Sequence, residues 1–200
     1  HKLFGRYLMG YPVEQQKYQA LAHLVLSFQN EKEVTGYKRW LDLKTGVTCV
    51  QYTAHGVTYQ REVFSSVPDQ TIAVRLTADK PGSISFTAEL RGIRNSSMSN
   101  YATDYFRMDG VGNDGLRLTG KSADYMGIEG RLRYEARVKA IADGGVVKVD
   151  DADLIVENAD AVTLYFVDAT NFVNYKDVSG DYHGKVEDYL RDIEGKTYNS

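Results

Sequence analysis

The stretch from Tyr37 to Leu90 constrains the fold more than any other part of the chain, because it holds four strand-like runs in succession. They are Val47–Ala54, Val57–Phe64, Thr71–Thr77 and Ser83–Leu90, each closed by turn residues. In the third run Ile72, Val74 and Leu76 alternate with Ala73, Arg75 and Thr77. In the fourth, Ile84, Phe86, Ala88 and Leu90 alternate with Ser83, Ser85, Thr87 and Glu89. Side chains two apart share a strand face, so each run buries one face and wets the other. His55-Gly56 fits a two-residue hairpin turn and Asp79-Lys80-Pro81-Gly82 a tight bend. The expectation is an all-β antiparallel sheet assembled hairpin by hairpin.

The remaining composition agrees. Fifteen Tyr and eighteen Gly against three Pro and one Trp favour pleated surfaces and reversals over helix. With 42 % hydrophobic and 26 % charged residues in 200, the chain supports one substantial core and no long disordered span. A net charge of −3 with interspersed cations offers no basic stripe, which argues against a nucleic-acid partner. No apolar run is long enough for a membrane span. Cys49 stands alone in strand-like sequence and reads as a small buried residue more readily than as a reactive thiol. The chain opens at His1 in mid-pattern, without Met or signal peptide, and is read as a processed or truncated piece.

Leu3, Phe4, Tyr7, Leu8 and Tyr11 recur at helical intervals, ended by Gly10 and Pro12, as the last turns of a helix whose start is missing. Ala20–Phe28 alternates as a strand, and Tyr37–Leu43 leads into the central stretch. Trp40 is read as a sheet-packing residue in preference to a sugar-stacking platform. Residues 92–115 are irregular. There Asn95-Ser96-Ser97 satisfies the glycosylation spacing without meaning more than an exposed loop. Asp109–Gly115 lacks an oxygen ligand at its third position, Val111, and is expected to be a wide hairpin turn in place of a calcium loop. Gly110-Val111-Gly112 lacks the third Gly of a dinucleotide fingerprint.

Arg131–Ala142 is the clearest strand, with Leu132, Tyr134, Ala136, Val138, Ala140 and Ala142 on one face. Arg131, Arg133, Glu135, Arg137 and Lys139 lie on the other, expected to be solvated. Val146–Val149 and Leu154–Val156 form a short pair. Ala161–Ala169 is apolar on both faces and is placed at the centre of a sheet. The period changes only at the end, where Val186, Tyr189, Leu190 and Ile193 follow helical spacing up to Gly195. With no further core to cover, that helix is expected to lead to something downstream.

Chemistry is sparse. His23, His55 and His183 have no second ligand at metal spacing, no Cys/His cluster or nucleophile elbow occurs, and no metal or cofactor is expected. Carboxylates abound, but a glycosidase needs two at a set separation, which sequence does not pair.

Several stretches resemble a known family. Tyr18–Phe28, Tyr37–Leu43 with Val57–Ser66, Pro68-Asp69-Gln70, Ala78–Ser83 and Ala169–Asp177 are similar to the N-terminal β-sandwich domain of glycoside hydrolase family 95. That family comprises inverting α-L-fucosidases and some α-L-galactosidases. The resemblance implies a (super-)β-sandwich over residues 1–182, truncated at its N-terminus, with 183–200 starting a helical linker. The partner would be a downstream (α/α)6 catalytic barrel of the same polypeptide. It also implies a fucosylated glycan as substrate of the whole enzyme and a periplasmic or secreted location. The family's catalytic residues lie in the barrel, so none is carried over. Ala20, Ala22 and His23 stand where relatives have Pro, Gly and Asp, which relaxes the backbone there. Asn171, Phe172, Asn174 and Tyr175, in the loop after the central strand, are the candidates to reach the barrel or its sugar. The alternative is a free-standing carbohydrate-binding module that stacks sugars on Trp40.

Overall fold

A computed structural model describes residues 2–8, 20–28, 33–92, 105–124, 127–196 and 198. The elements run α1 (Lys2–Tyr7), β1 (His23–Ser27), β2 (Thr35–Asp42), β3 (Val47–Ala54), β4 (Val57–Ser66), β5 (Thr71–Ala78) and β6 (Ile84–Arg91). They continue with β7 (Phe106–Val111), β8 (Gly115–Lys121), β9 (Arg133–Asp143), β10 (Val146–Asp150), β11 (Asp153–Ala159), β12 (Ala161–Thr170) and α2 (Tyr182–Asp192). Among the described residues they form two antiparallel sheets, β1-β6-β11-β10 and β2-β3-β4-β5-β12-β9-β8-β7. The expected all-β sandwich with a helix near each end is therefore the fold observed.

Local chemistry explains the hairpins. His55 and Gly56 both take positive φ, 51° and 71°, between the paired ends Ala54 and Val57. That is the primed turn whose twist matches the flanking strands. Gly144 and Gly145 also take positive φ, 68° each, where the chain leaves β9 for β10 of the other sheet, and a Cβ at Gly145 would lie 2.4 Å from the Glu157 carbonyl oxygen. The turn after β7 is tighter than expected, because β7 runs on to Val111 and leaves residues 112–114 to reverse the chain. The Asn95-Ser96-Ser97 loop and the Gly10 and Pro12 helix stop lie outside the described residues.

The core fills the space between the layers. Ile84, Phe86, Ala88 and Leu90 of β6, with Leu154 and Val156 of β11, face Leu76, Leu116, Leu118, Val138, Val162 and Leu164 of the larger sheet. The β6 set, Val138 of β9 and Val162 and Leu164 of β12 are alternating residues read from sequence; in β5 Leu76 is buried as read, but Ile72 is 40 % exposed and Ala73 of the opposite face is buried. β12 pairs with β5 on one side and β9 on the other, and its residues are buried on both faces. Inner-face Val162 and Leu164 enter the core, whereas Tyr165, Val167 and Ala169 point outward.

Two expectations require correction here. α2 has a core to cover: Val186 packs on Val167 and Ala169, and Ile193 on Ala73 and Tyr165. Trp40 is not packed inward either, because β2 is an edge strand exposed along its whole length and leaves this indole 42 % accessible.

Leu164 is fully buried where β12 crosses the core. Leu164→Ala is expected to lower the unfolding free energy by about 3 kcal/mol in urea denaturation, the usual cost of a buried leucine truncated to leave a cavity.

Candidate functional site

The outer face of the larger sheet gathers the polar chemistry of the chain. α2 starts at Asp181, whose carboxylate accepts from Gly184 N at 2.8 Å and so satisfies one of the unpaired amides of the first turn. Its apolar stripe lies on β12, which brings His183 and Glu187 over β9. There Glu135 is 2 % and Arg137 8 % exposed, a correction at these two positions to the expectation of a solvated charged row, whose Arg131, Arg133 and Lys139 are exposed. Arg137 Nε donates to Glu135 Oε1 at 2.6 Å and Nη2 to Glu187 Oε1 at 2.7 Å. His183 Nδ1 lies 3.0 Å from Glu135 Oε2. One guanidinium thus joins a strand carboxylate to a helix carboxylate, and the planar fork suits that bridge.

Glu135, His183 and Glu187 bring ligand atoms within 4.8 Å of one another, a grouping that could hold a cation. The fit is poor, because Arg137 already supplies the positive charge to both carboxylates. Beyond α2 the chain crosses toward β4: Lys196 pairs with Asp69, and Tyr198 meets Phe64 edge-on at 5.4 Å. The Lys196 hydrogen bond, then that of Ser66, holds the Asp69 carboxyl below its ordinary range. Burial and the Glu62 carboxylate push the Tyr198 phenol up to about 12.

The loop from Asn171 to Gly180 is fastened at its base and exposed at its tip. Asn171 is 6 % exposed; its Oδ1 accepts from Arg133 N at 2.8 Å. Its Nδ2 donates to Arg131 O at 3.1 Å and Val178 O at 2.7 Å. Asn174 and Asp177 exchange backbone hydrogen bonds at 3.1 and 3.0 Å. Asn174 Oδ1 also accepts from Lys176 N at 2.9 Å. On this frame Phe172 and Val173 are half exposed and Tyr175 is 84 % accessible. The structure therefore splits the sequence candidates: Asn171 and Asn174 shape the loop, Phe172 and Tyr175 project from it, and Trp40 lies apart on β2.

Two of the depressions in the described surface include carboxylates. A cleft of about 370 Å³ opens between the layers, lined by Phe28, Tyr52, Tyr59, Arg61, Phe86 and Asn158 among others. Among its described lining residues Glu157 is the one carboxylate, and it pairs with Lys148 at 3.0 Å. A groove of about 570 Å³ runs beside α2, where Arg137 meets Glu187 and Lys139 meets Asp114 at 2.7 Å. Glycoside hydrolysis needs two acids at a set separation; the cleft holds one, and of the groove's Asp114, Glu187 and Glu194 the first two are held in ion pairs.

Comparison with known proteins places this architecture. The family profile described as glycosyl hydrolase family 65, N-terminal domain, matches residues 1–175. The chain belongs to this family. The domain is 30 % identical over 169 residues to α-L-fucosidase 2 of Arabidopsis thaliana, covering 78 % of the chain and 20 % of the relative. It thus spans about a fifth of the length of that curated relative. Among solved structures, a putative kojibiose phosphorylase from the human microbiome shares the fold, with a TM-score of 0.56 and 12 % identity. That match covers 88 % of this chain and 25 % of the other. An N-terminal domain of a glycoside hydrolase is what the sequence resemblance implied. The matching profile carries the number 65 where the resemblance named 95, and similarity to an α-L-fucosidase connects the two.

In this glycosyl hydrolase N-terminal domain the Glu135–Arg137–Glu187–His183 network was absent from the sequence candidates. Its signal was present: opposite charges two apart on β9, next to a strand apolar on both faces, with His183 and Glu187 four apart on the helix. Removing Arg137 strands a buried carboxylate. Arg137→Met is expected to cost about 3 kcal/mol in urea denaturation. The double change Glu135→Leu with Arg137→Met should cost less than Arg137→Met alone.

Proposed function

We propose that this domain is the non-catalytic β-sandwich of an α-L-fucosidase-like glycoside hydrolase. It supports an (α/α)6 catalytic barrel in the same polypeptide and forms one wall of a cleft for fucosylated glycans, in an enzyme that is periplasmic or secreted. The observation that carries this reading is the N-terminal-domain match over residues 1–175, together with the similarity to α-L-fucosidase 2. The geometry supports it. The 171–180 loop is held by Asn171 and the Asn174–Asp177 bridge, so Phe172, Val173 and Tyr175 project from a fixed frame. Apolar side chains held out on a preorganised backbone lose little entropy when a partner covers them. Lys148 holds Glu157 at the first depression, and Lys139 and Arg137 hold Asp114 and Glu187 at the second.

The test is an assay of the 200-residue chain on an aryl α-L-fucoside and on fucosylated oligosaccharides. No turnover above buffer is expected, and clear turnover would refute the supporting role.

A second reading, a carbohydrate-binding module, is favoured by the exposure of Trp40 on β2. An accessible indole face stacks on a sugar ring. Calorimetry with fucosylated glycans separates the two. The supporting role gives no heat, whereas the module gives binding that Trp40→Ala abolishes without a change in melting temperature.

A further inference from the structure

The larger sheet ends at β2, and among the described residues no strand pairs with the outer edge of β2. Eight residues long, this edge strand is exposed throughout and carries Tyr37, Trp40 and Leu41, followed by Leu43 in the turn. Such an edge presents a row of backbone donors and acceptors to any strand that approaches. One irregularity interrupts it, between Thr35 and Lys38, so Lys38–Asp42 forms a regular run against β3.

We infer that two copies of this chain pair antiparallel along β2, across a two-fold axis at Trp40. Symmetry limits the register. A two-fold that joins two edge strands in one sheet stands normal to that sheet, so residues facing each other must lie on the same face. The axis then passes through a residue opposite its own copy. Centring on Arg39 sets two guanidinium groups against each other. Centring on Leu41 places Asp42 against the Trp40 indole.

Centring on Trp40 places Lys38 opposite Asp42 twice, flanking a Trp40–Trp40 pair on the face that also carries Cys49. On the other face the Arg39 stem meets Leu41 twice. Opposite charges and aromatic groups directly across strands are the favourable pairs, and like charges are not. Asp42 keeps its charge at neutral pH, because the amide of Lys44 donates to it at 2.9 Å and holds its carboxyl below the usual range. The result is one continuous sheet through both copies, joined by an interface below the standard size and therefore of modest affinity.

Sedimentation velocity on the whole chain tests this from about 5 to about 200 µM, the range in which a modest interface fills. The expected result is reversible association to twice the chain mass. Lys38→Glu, which opposes two carboxylates, should weaken it at least about tenfold with no change in melting temperature. Cross-linking checks the register in a Cys49→Ser background, since Cys49 faces Trp40 within the chain. Trp40→Cys should give a disulfide-linked dimer under oxidised glutathione, its copy lying within about 5 Å. Lys38→Cys should not, its copy being about 13 Å away along the strand. A chain monomeric at every concentration overturns the proposal. So does a dimer indifferent to Lys38→Glu that does not cross-link through position 40.

Discussion

A strand that is apolar on both faces needs two covers, and the architecture of this domain follows from β12 needing them. β12 lies between β5 and β9 in the larger sheet, with Val162 and Leu164 on one side and Tyr165, Val167 and Ala169 on the other. The smaller sheet covers the first set, and α2 covers the second. Leaving Tyr165, Val167 and Ala169 in water would forfeit about 25 cal/mol for each Å² of apolar surface. The helix is thus part of the domain's own packing, whatever it leads to.

Apolar burial alone does not fix where along the sheet a helix sits, and the charges on β9 supply that register. Arg137 joins Glu135 beneath it to Glu187 above it, and His183 reaches Glu135 from one turn earlier on α2. Sliding the helix by a turn would separate Arg137 from Glu187 and Glu135 from His183. A buried ion pair gains little net stability over an apolar pair of similar volume, but breaking one is costly. Its effect is to penalise the wrong placements more than to stabilise the right one. The route of the chain after α2, with Lys196 on Asp69 and Tyr198 on Phe64, follows from that placement.

The parts legible in sequence were those governed by period and turn chemistry. The β3 to β6 succession, the His55-Gly56 reversal, the central position of β12 and the apolar stripe Val186–Tyr189–Leu190–Ile193 all express local rules. What covers a face is not local. The alternation in β9 separates Glu135 and Arg137 from Tyr134 and Ala136, yet a solvated charged row and a row sealed under a helix read alike. Trp40 fails for the opposite reason. Its surroundings look like sheet interior, but its exposure depends on β2 falling at the end of the strand order, which pairing decides. Among the loop residues, sequence marked Asn171 for its place after a central strand; the structure shows its side chain spent on Arg131, Arg133 and Val178.

These features describe a two-layer body, a helix packed on it and joined to it by ion pairs, and a fastened loop that projects Phe172 and Tyr175. Membership in a glycosyl hydrolase N-terminal domain family accords with the supporting role proposed above. The account rests on α2 being an integral cover of β12. Backbone hydrogen exchange of the whole chain measures this most directly. Amides of Val186–Leu190 should be protected together with those of β12 and exchange in the same cooperative unit. Free exchange across α2 while β12 stays protected would contradict it.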